Sequence, residues 1–457
     1  MSMVVKNDKR LYPRVAVNFP VRIPPSFFAQ SVDISETGLG FILDKPLLLS
    51  KAKAEIEISP GKTIETEFKV IWDKQLVESG KFRYGAAFIG LKEKDLELLR
   101  VKTANSFSGD FMQGGKVLGL SEIKTTIRTQ VKLYKRRAAE IEKYLSEHPG
   151  EWGKFQNEFN LEVNSIFRGI MNFEKINLSK GLNSKVLKLK RLFLKKIRGI
   201  FMQGVFVKWC FEKPFGYAGD FKIIDDLYQN NPTTTGYPRL FDNYLQMTAM
   251  AIAVRNRKED FKRMIIDVVN NKKPHSDPIR IMCLASGPCR DIQEVLASGK
   301  LLNNNVFFDC YDIEKAALDF GKNLLRDFPD RVRFFQKSAV KLGLAKDVTR
   351  KVDTKYDMIY ATGLYDYFNF RLAVEVTRNL KELLTPGGVL MVANVRDKYS
   401  NPTLHFMDWV TDWQLIYRDE KEFGQIFIDA GFAKERLTLL YEQQGIMQYI
   451  VASQNKG

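Results

Sequence analysis

Over the first hundred positions, apolar residues recur in short runs separated by turn residues. VAVNFPVRI, LGFILD, AEIEIS, EFKVIW and YGAAFIGL are rich in Val, Ile and Phe, and Pro20, Pro24, Pro25, Pro46 and Pro60–Gly61 punctuate them. Short strands at this spacing predict a small β-barrel over residues 1–105. From 106 to about 270 the apolar period becomes helical, through Leu133–Leu145 and Phe155–Phe167. The stretch Lys185–Lys208 puts Val186, Leu189, Phe193, Ile197 and Ile200 on one stripe and predicts a basic amphipathic helix. From Pro278 the rhythm alternates strand and helix. IRIMCLA, VFFDCYD, VRFFQ, YDMIYAT and GGVLMVANV are followed by a helix at Lys421–Ala430 and by the strand-like runs ERLTLLYEQ and GIMQYIVAS. That order predicts a parallel sheet closed by an antiparallel hairpin. The expected organisation is a barrel at 1–105, a basic helical region at 106–270 whose end helps cover the active site, and an α/β domain at 271–457.

Composition narrows the class. A chain of 457 residues with 45% hydrophobic content can build several cores, which excludes bulk disorder. Its net charge is +17, of which +4 falls in 1–105, +11 in 106–270 and +2 in the remainder. The basic middle favours an acidic partner: nucleic acid, anionic lipid or an acidic protein. Cys210, Cys283, Cys289 and Cys310 form no CxxC pair, so neither a disulfide framework nor a zinc module is expected, and no metal site. No run of 18 apolar residues occurs, and the start MSMVVKNDKR lacks the apolar core of a secretion signal. A cytoplasmic setting is the expectation, with peripheral attachment to the inner membrane surface through the basic stretch as an option.

Near the start, Arg10 and Arg14 frame RLYPR, and Asp33, Ser35 and Gly38 lie in DISETG. Two guanidiniums grip phosphates bidentately and stack on flat bases. The acid and the hydroxyl suit the edge of a guanine, and the glycine suits a tight turn. On RxxxR followed by [D/N]xSxxG, together with the ending FRYGAAFIGL, residues 8–100 resemble a PilZ domain. That resemblance implies a bacterial signalling module that binds cyclic di-GMP through Arg10, Arg14, Asp33, Ser35 and Gly38.

In the last third, IRIMCLASGPCRDIQE reads as a strand, a turn of small residues and a helix, and Asp312 ends the next strand. Small residues let the backbone approach a ligand, the helix start favours negative groups, and an acid at that place can hold ribose hydroxyls. NAD and S-adenosylmethionine (SAM) sites share this plan. The turn is not GxGxxG, which weakens the dinucleotide reading. The closing hairpin and LTPGGVLMVAN resemble the class I SAM-dependent methyltransferases, Rossmann-like folds with an antiparallel last strand. The resemblance implies a cofactor site of Ala285, Gly287, Asp291, Asp312 and Ile313. Ser338 and Ala339 would lie by the adenine, and Thr362 would complete the site.

GYAGD, ASGPCRD, GLYDY and MDWVTDWQLIYR resemble the extracellular factor 3-hydroxypalmitic acid methyl ester biosynthesis family over residues 205–457. The chain departs from that family's usual Ala and Glu at Cys289 and Asp291. The resemblance implies O-methylation of a fatty or acyl carboxylate. A carboxylate is ionised at neutral pH and needs no strong base, so Tyr217, Tyr365, His405 and Arg418 are expected to orient it. Trp409 and Trp413, four apart, are expected on one buried helical face. Taken together, the readings describe a cyclic di-GMP-responsive methyltransferase with an acyl or other small-molecule substrate. An acidic carrier protein or an anionic membrane would dock at Lys185–Lys208. Rivals are a non-catalytic effector that uses the fold as a scaffold, or a methyltransferase of another small molecule, a protein or nucleic acid. Nucleic-acid binding by the basic helix alone is disfavoured, because no aromatic residues interleave its charges.

Overall fold

The computed structural model describes residues 15–16, 19–24, 27–35, 38–59, 62–75, 81–92, 94–95, 99, 112–113, 116–117, 120–272, 278–301 and 305–455. Arg10 and Arg14 lie outside them.

Strands β1 (Val15–Ala16), β2 (Pro20–Ile23), β3 (Phe27–Ser35), β4 (Gly38–Leu43), β5 (Lys51–Ser59), β6 (Lys62–Gln75) and β7 (Phe82–Ile89) form one antiparallel, barrel-like sheet. Its order is β1-β3-β2-β5-β6-β7-β4, and β4 pairs back onto β3. Alternate side chains point inward, so Val21, Ile23, Ile56, Ile64, Phe68 and Phe41 fill the interior. On β6 the inward phase ends at Lys74, which is buried although it is charged. At Gly85 a Cβ would sit 2.2 Å from the Trp72 indole, so only glycine lets that ring lie across β7. Asp33 and Ser35 belong to β3 itself rather than to a turn after it, and Gly38 opens β4 as the register partner of Ser35.

A small hairpin, β8 (Met112–Gln113) and β9 (Lys116–Val117), precedes the helices. These are α1 (Leu120–Glu147), α2 (Gly153–Ser179), α3 (Asn183–Lys196), α4 (Arg198–Phe201), α5 (Val205–Glu212), α6 (Phe221–Gln229), α7 (Gly236–Met247) and α8 (Ala249–Asn271). The single basic helix expected over Lys185–Lys208 is therefore three pieces. Its stripe is real, since Val186, Leu189, Phe193 and Ile197 are buried. α3 ends where Ile197 stretches its φ to −117°, and Gly204 is extended at the start of α5.

The last part alternates as expected: β10 (Ile279–Leu284), α9 (Arg290–Ala297), β11 (Val306–Asp312), α10 (Lys315–Leu324), β12 (Val332–Gln336), α11 (Ala339–Gly343), β13 (Tyr356–Ala361), α12 (Phe370–Glu382), β14 (Leu384–Val395), α13 (Thr403–Val410), α14 (Glu420–Asp429), β15 (Leu437–Tyr441) and β16 (Met447–Ser453). The sheet order is β12-β11-β10-β13-β14-β16-β15. The first five strands run parallel, and β16 pairs antiparallel with both β14 and β15. The order reverses beside β10, which opens a crevice at the carboxyl ends of β10 and β13. One face of the sheet shares a continuous hydrophobic core with helices α2 to α8. The other packs on α12 and α14. The middle helices thus cover the crevice.

Candidate active site

The loop from β10 to α9 is bent by three left-handed residues at alternate positions, Ala285 (φ 53°), Gly287 (φ 55°) and Cys289 (φ 57°). Two of them carry a Cβ, and such backbone strain persists only where surrounding structure imposes it. Cys289 turns its sulfur inward and is fully buried. Gly321 makes room, since a Cβ there would lie 3.2 Å from that sulfur. No atom of the described residues lies within 4 Å of a Cβ built on Gly287, so the loop keeps an open face.

That face borders a cavity of about 310 Å³ at the carboxyl ends of β10, β11, β13 and β14, within the small-molecule range. The Gly287 amide donates to Asp312 Oδ2 (2.9 Å), and the Glu314 amide donates to Asp312 Oδ1 (2.9 Å). Burial raises the Asp312 pKa, and these backbone donors pull against the rise. Asp291, in the first turn of α9, accepts from the Tyr360 hydroxyl (2.7 Å); its pKa too is raised by burial. The Ser286 hydroxyl is buried at the cavity wall with no hydrogen-bond partner among the described residues.

Three further segments close the space. Gly219, in the loop before α6, can carry no side chain, because a Cβ would meet Trp413 at 2.6 Å and the Tyr367 hydroxyl at 2.8 Å. The Trp413 indole donates to that hydroxyl at 2.8 Å. GYAGD, GLYDY and MDWVTDWQLIYR therefore meet at one point of the wall. Asp366 Oδ1 accepts from the Val395 amide and from Asn394 Nδ2, both at 2.8 Å. Burial pushes the Asp366 carboxyl up to about 6 against those donors. Tyr217 lines the same wall, and its hydroxyl is raised by burial and by neighbouring Asp312.

Of the expected site residues, Ala285, Gly287, Asp291, Asp312, Ile313, Thr362 and Tyr217 line this cavity. Ser338 and Ala339 do not; Ser338 caps α11, its hydroxyl accepting from the Lys341 amide (3.3 Å). Three expected catalytic residues, Tyr365, Arg418 and His405, do not line the cavity. Tyr365 points into the core on the α12 side, bonded to Thr377 (2.7 Å) and packed on Phe368 and Phe427. Arg418 is buried and spends its guanidinium on the Tyr365 carbonyl (2.8 Å), Asn394 Oδ1 (2.5 Å) and the Phe368 carbonyl. It braces the loop that carries Asp366 and Tyr367. His405 is fully buried on α13, outside the cavity lining, with Nε2 3.4 Å from Glu174 Oε1. Burial lowers its pKa and keeps the ring neutral. The two tryptophans also part company. Trp409 sits in the core with its indole on Glu174 (3.0 Å), whereas α13 ends at Val410 and Trp413 reaches the cavity.

Sequence reasoning missed Arg257, Ser286 and Tyr228 in the wall. Ser286 stood inside the quoted turn. Arg257 had no local signal, because RNRKEDFKR reads as a solvated charge run.

Residues 178–454 match the family model described as "Putative methyltransferase", and residues 8–104 match the PilZ domain model. No curated protein matches the chain. Among solved structures, a protein of Bordetella parapertussis described as a possible exported protein is 16% identical, with 52% of this chain and 79% of that chain covered and a TM-score of 0.42. An O-methyltransferase family protein from Burkholderia thailandensis is 19% identical over 46% of this chain and 60% of that one, under two thirds of its length, with a TM-score of 0.33. The magnesium protoporphyrin IX methyltransferase of Synechocystis, solved with bound S-adenosylhomocysteine (SAH), is 12% identical over 45% of this chain and 87% of that one, with a TM-score of 0.34.

Proposed function

Because this chain belongs to that methyltransferase family and carries a PilZ domain ahead of it, we propose that it methylates a carboxylate with SAM and that cyclic di-GMP controls the reaction. The observation that carries the reading is the Gly287–Asp312 bond at the wall of an otherwise open cavity. The residues there fit the cofactor: a glycine whose missing side chain leaves a cradle, and a buried serine hydroxyl without a partner among the described residues. In this reading Asp312 holds the ribose hydroxyls, Asp291 faces the amino group, Ser286 supplies a further hydrogen bond, and Ile313 borders the adenine.

When bound, SAM supplies a methyl group on a sulfonium that departs as a neutral thioether. A carboxylate acceptor is already ionised at neutral pH, so the chain has no proton to remove. Its task is to hold the acceptor oxygen in line and to keep water out. Leu364, Val395, Trp413, Leu415 and Met447 supply an apolar wall for that end of the cavity. The Tyr217 hydroxyl, held protonated, can only donate or accept a hydrogen bond. The exposed Lys185, Lys188, Arg191, Lys195 and Lys196 of α3 support delivery of the acceptor from an acidic carrier protein or an anionic membrane. At the barrel, cyclic di-GMP is assigned to Arg10, Arg14, Asp33, Ser35 and Gly38.

The test is to incubate the chain with methyl-labelled SAM and a cell lipid extract, with and without cyclic di-GMP, and to identify the labelled product. A base-labile methyl ester whose yield changes with the nucleotide is expected. Absence of SAM binding by calorimetry would sink the reading.

A further inference from the structure

Several buried or half-buried cations among the described residues meet a carboxylate, whereas one that lines the cavity makes no such contact. Lys258 and Lys262 meet Glu294, Arg290 forks onto Asp225, Lys190 meets Asp408, and Lys398 meets Glu174 and Asp408. Arg257, on α8, is 4% exposed and lines the cavity. No carboxylate among the described residues makes an ion pair with it. Its Nε has no hydrogen-bond partner among the described residues, and its side chain reaches the Tyr228 hydroxyl. Its two terminal nitrogens pack on Gly363, each 3.4 Å from where a Cβ would stand. The acids of the cavity are otherwise engaged: Asp291 by Tyr360, Asp312 by two amides and Asp366 by Val395 and Asn394.

Asp366 feels the charge of Arg257 without touching it, and an arginine buried with no carboxylate in contact is costly unless something brings one. Its planar fork suits a carboxylate bound through two parallel hydrogen bonds. Its place in the sheet says which part of the site it serves. Asp312 ends β11 and Gly287 follows β10, whereas Gly363 follows β13, on the far side of β10 from Asp312. Met250 and Val254, on the same helix, lie with Val395 and Met447 around that end.

We propose that Arg257 is the specificity residue that receives the carboxylate of the methyl acceptor, an amphiphilic acid whose chain lies against those apolar side chains. The proposal rests on the carboxyl-methylation reading. A second carboxylate, that of the methionine half of the cofactor, has the same chemistry, and the experiment separates the two.

The full chain saturated with SAH is titrated with dodecanoate, and with dodecanol as the uncharged control, for wild type and for Arg257→Met and Arg257→Lys. The expected result is a dodecanoate Kd at least tenfold weaker in Arg257→Met. An intermediate loss is expected in Arg257→Lys, which keeps the charge without the fork, and dodecanol should be unchanged within about threefold. Dodecanoate binding that is absent in wild type, or equal in all three proteins, overturns the assignment. So does an SAH Kd that rises tenfold in Arg257→Met while dodecanoate is unaffected, because the arginine then serves the cofactor. If dodecanoate binds through Arg257 but gains no label from methyl-labelled SAM, the assignment stands and carboxyl methylation of such acids falls.

Discussion

Arg83 of the barrel donates from Nη1 to Asn256 Oδ1 on α8 at 3.0 Å, across 173 residues of chain and with both side chains buried. Asn256 in turn donates to Glu442 Oε2 (3.0 Å), whose other oxygen accepts from the Ile446 amide (2.8 Å). The next residue, Met447, lines the cavity, as does Arg257 beside Asn256. A change in the barrel at β7 therefore has a short run of contacts to the cavity.

Arg83→Met tests that run. Losing a buried hydrogen bond of this kind costs about 1–3 kcal/mol, read by denaturant unfolding. The effect of cyclic di-GMP on the methylation rate should shrink at least threefold, while SAM binding stays as in wild type. A full nucleotide response in the variant would remove this contact from the signalling route.

Lys74 makes stability depend on pH. Burial pushes its ammonium down to about 8; Asp260 and Glu259 hold it up, and Arg263 and Arg83 press it further down. In the unfolded chain it titrates near 10.4. Between these values the unfolded chain holds the extra proton, so stability contributed by this group rises with pH across that window. Lys74→Met should abolish the rise and stabilise the protein at pH 7 by roughly 1–3 kcal/mol. Parallel unfolding curves from pH 7 to 10.5 decide the matter; identical slopes would refute the assignment.

Asp312→Ala removes both the acid proposed for the ribose and the anchor of the Gly287 amide. SAM affinity should fall roughly 10–100-fold by calorimetry, the loss expected for hydrogen bonds to a charged group. Gly287→Val places a branched side chain at positive φ and in the open cradle, and should abolish binding in a folded protein.

His405→Leu should leave kcat within about threefold of wild type, because the imidazole lies outside the cavity lining and faces Glu174 instead. Losing the contact to Glu174 should cost about 1–3 kcal/mol of stability rather than activity. The pH–rate profile should keep its shape. A hundredfold loss with unchanged thermal stability would return the histidine to the reaction.

Much of this protein was written in neighbouring residues. The two-residue alternation of the barrel strands, the helical spacing of α1 and α2, and the strand–helix rhythm after Pro278 are local properties. So is the turn ASGPCRD with Asp312 ahead, because a loop that approaches a ligand needs small residues whatever surrounds it. The break of the basic helix after Lys196 was hidden, since its stripe continued unbroken to Ile200.

What tertiary structure alone decided was which polar groups remain unpartnered at the cavity. His405 and Arg418 had the right chemistry for an active site, but Glu174, Asn394 and two loop carbonyls, remote in sequence, engage them outside the cavity lining. Arg257 had the look of a solvated charge. Packing of α8 against the sheet took away its water without bringing a carboxylate into contact with it, because the strands that cover it are brought there only when the chain is folded.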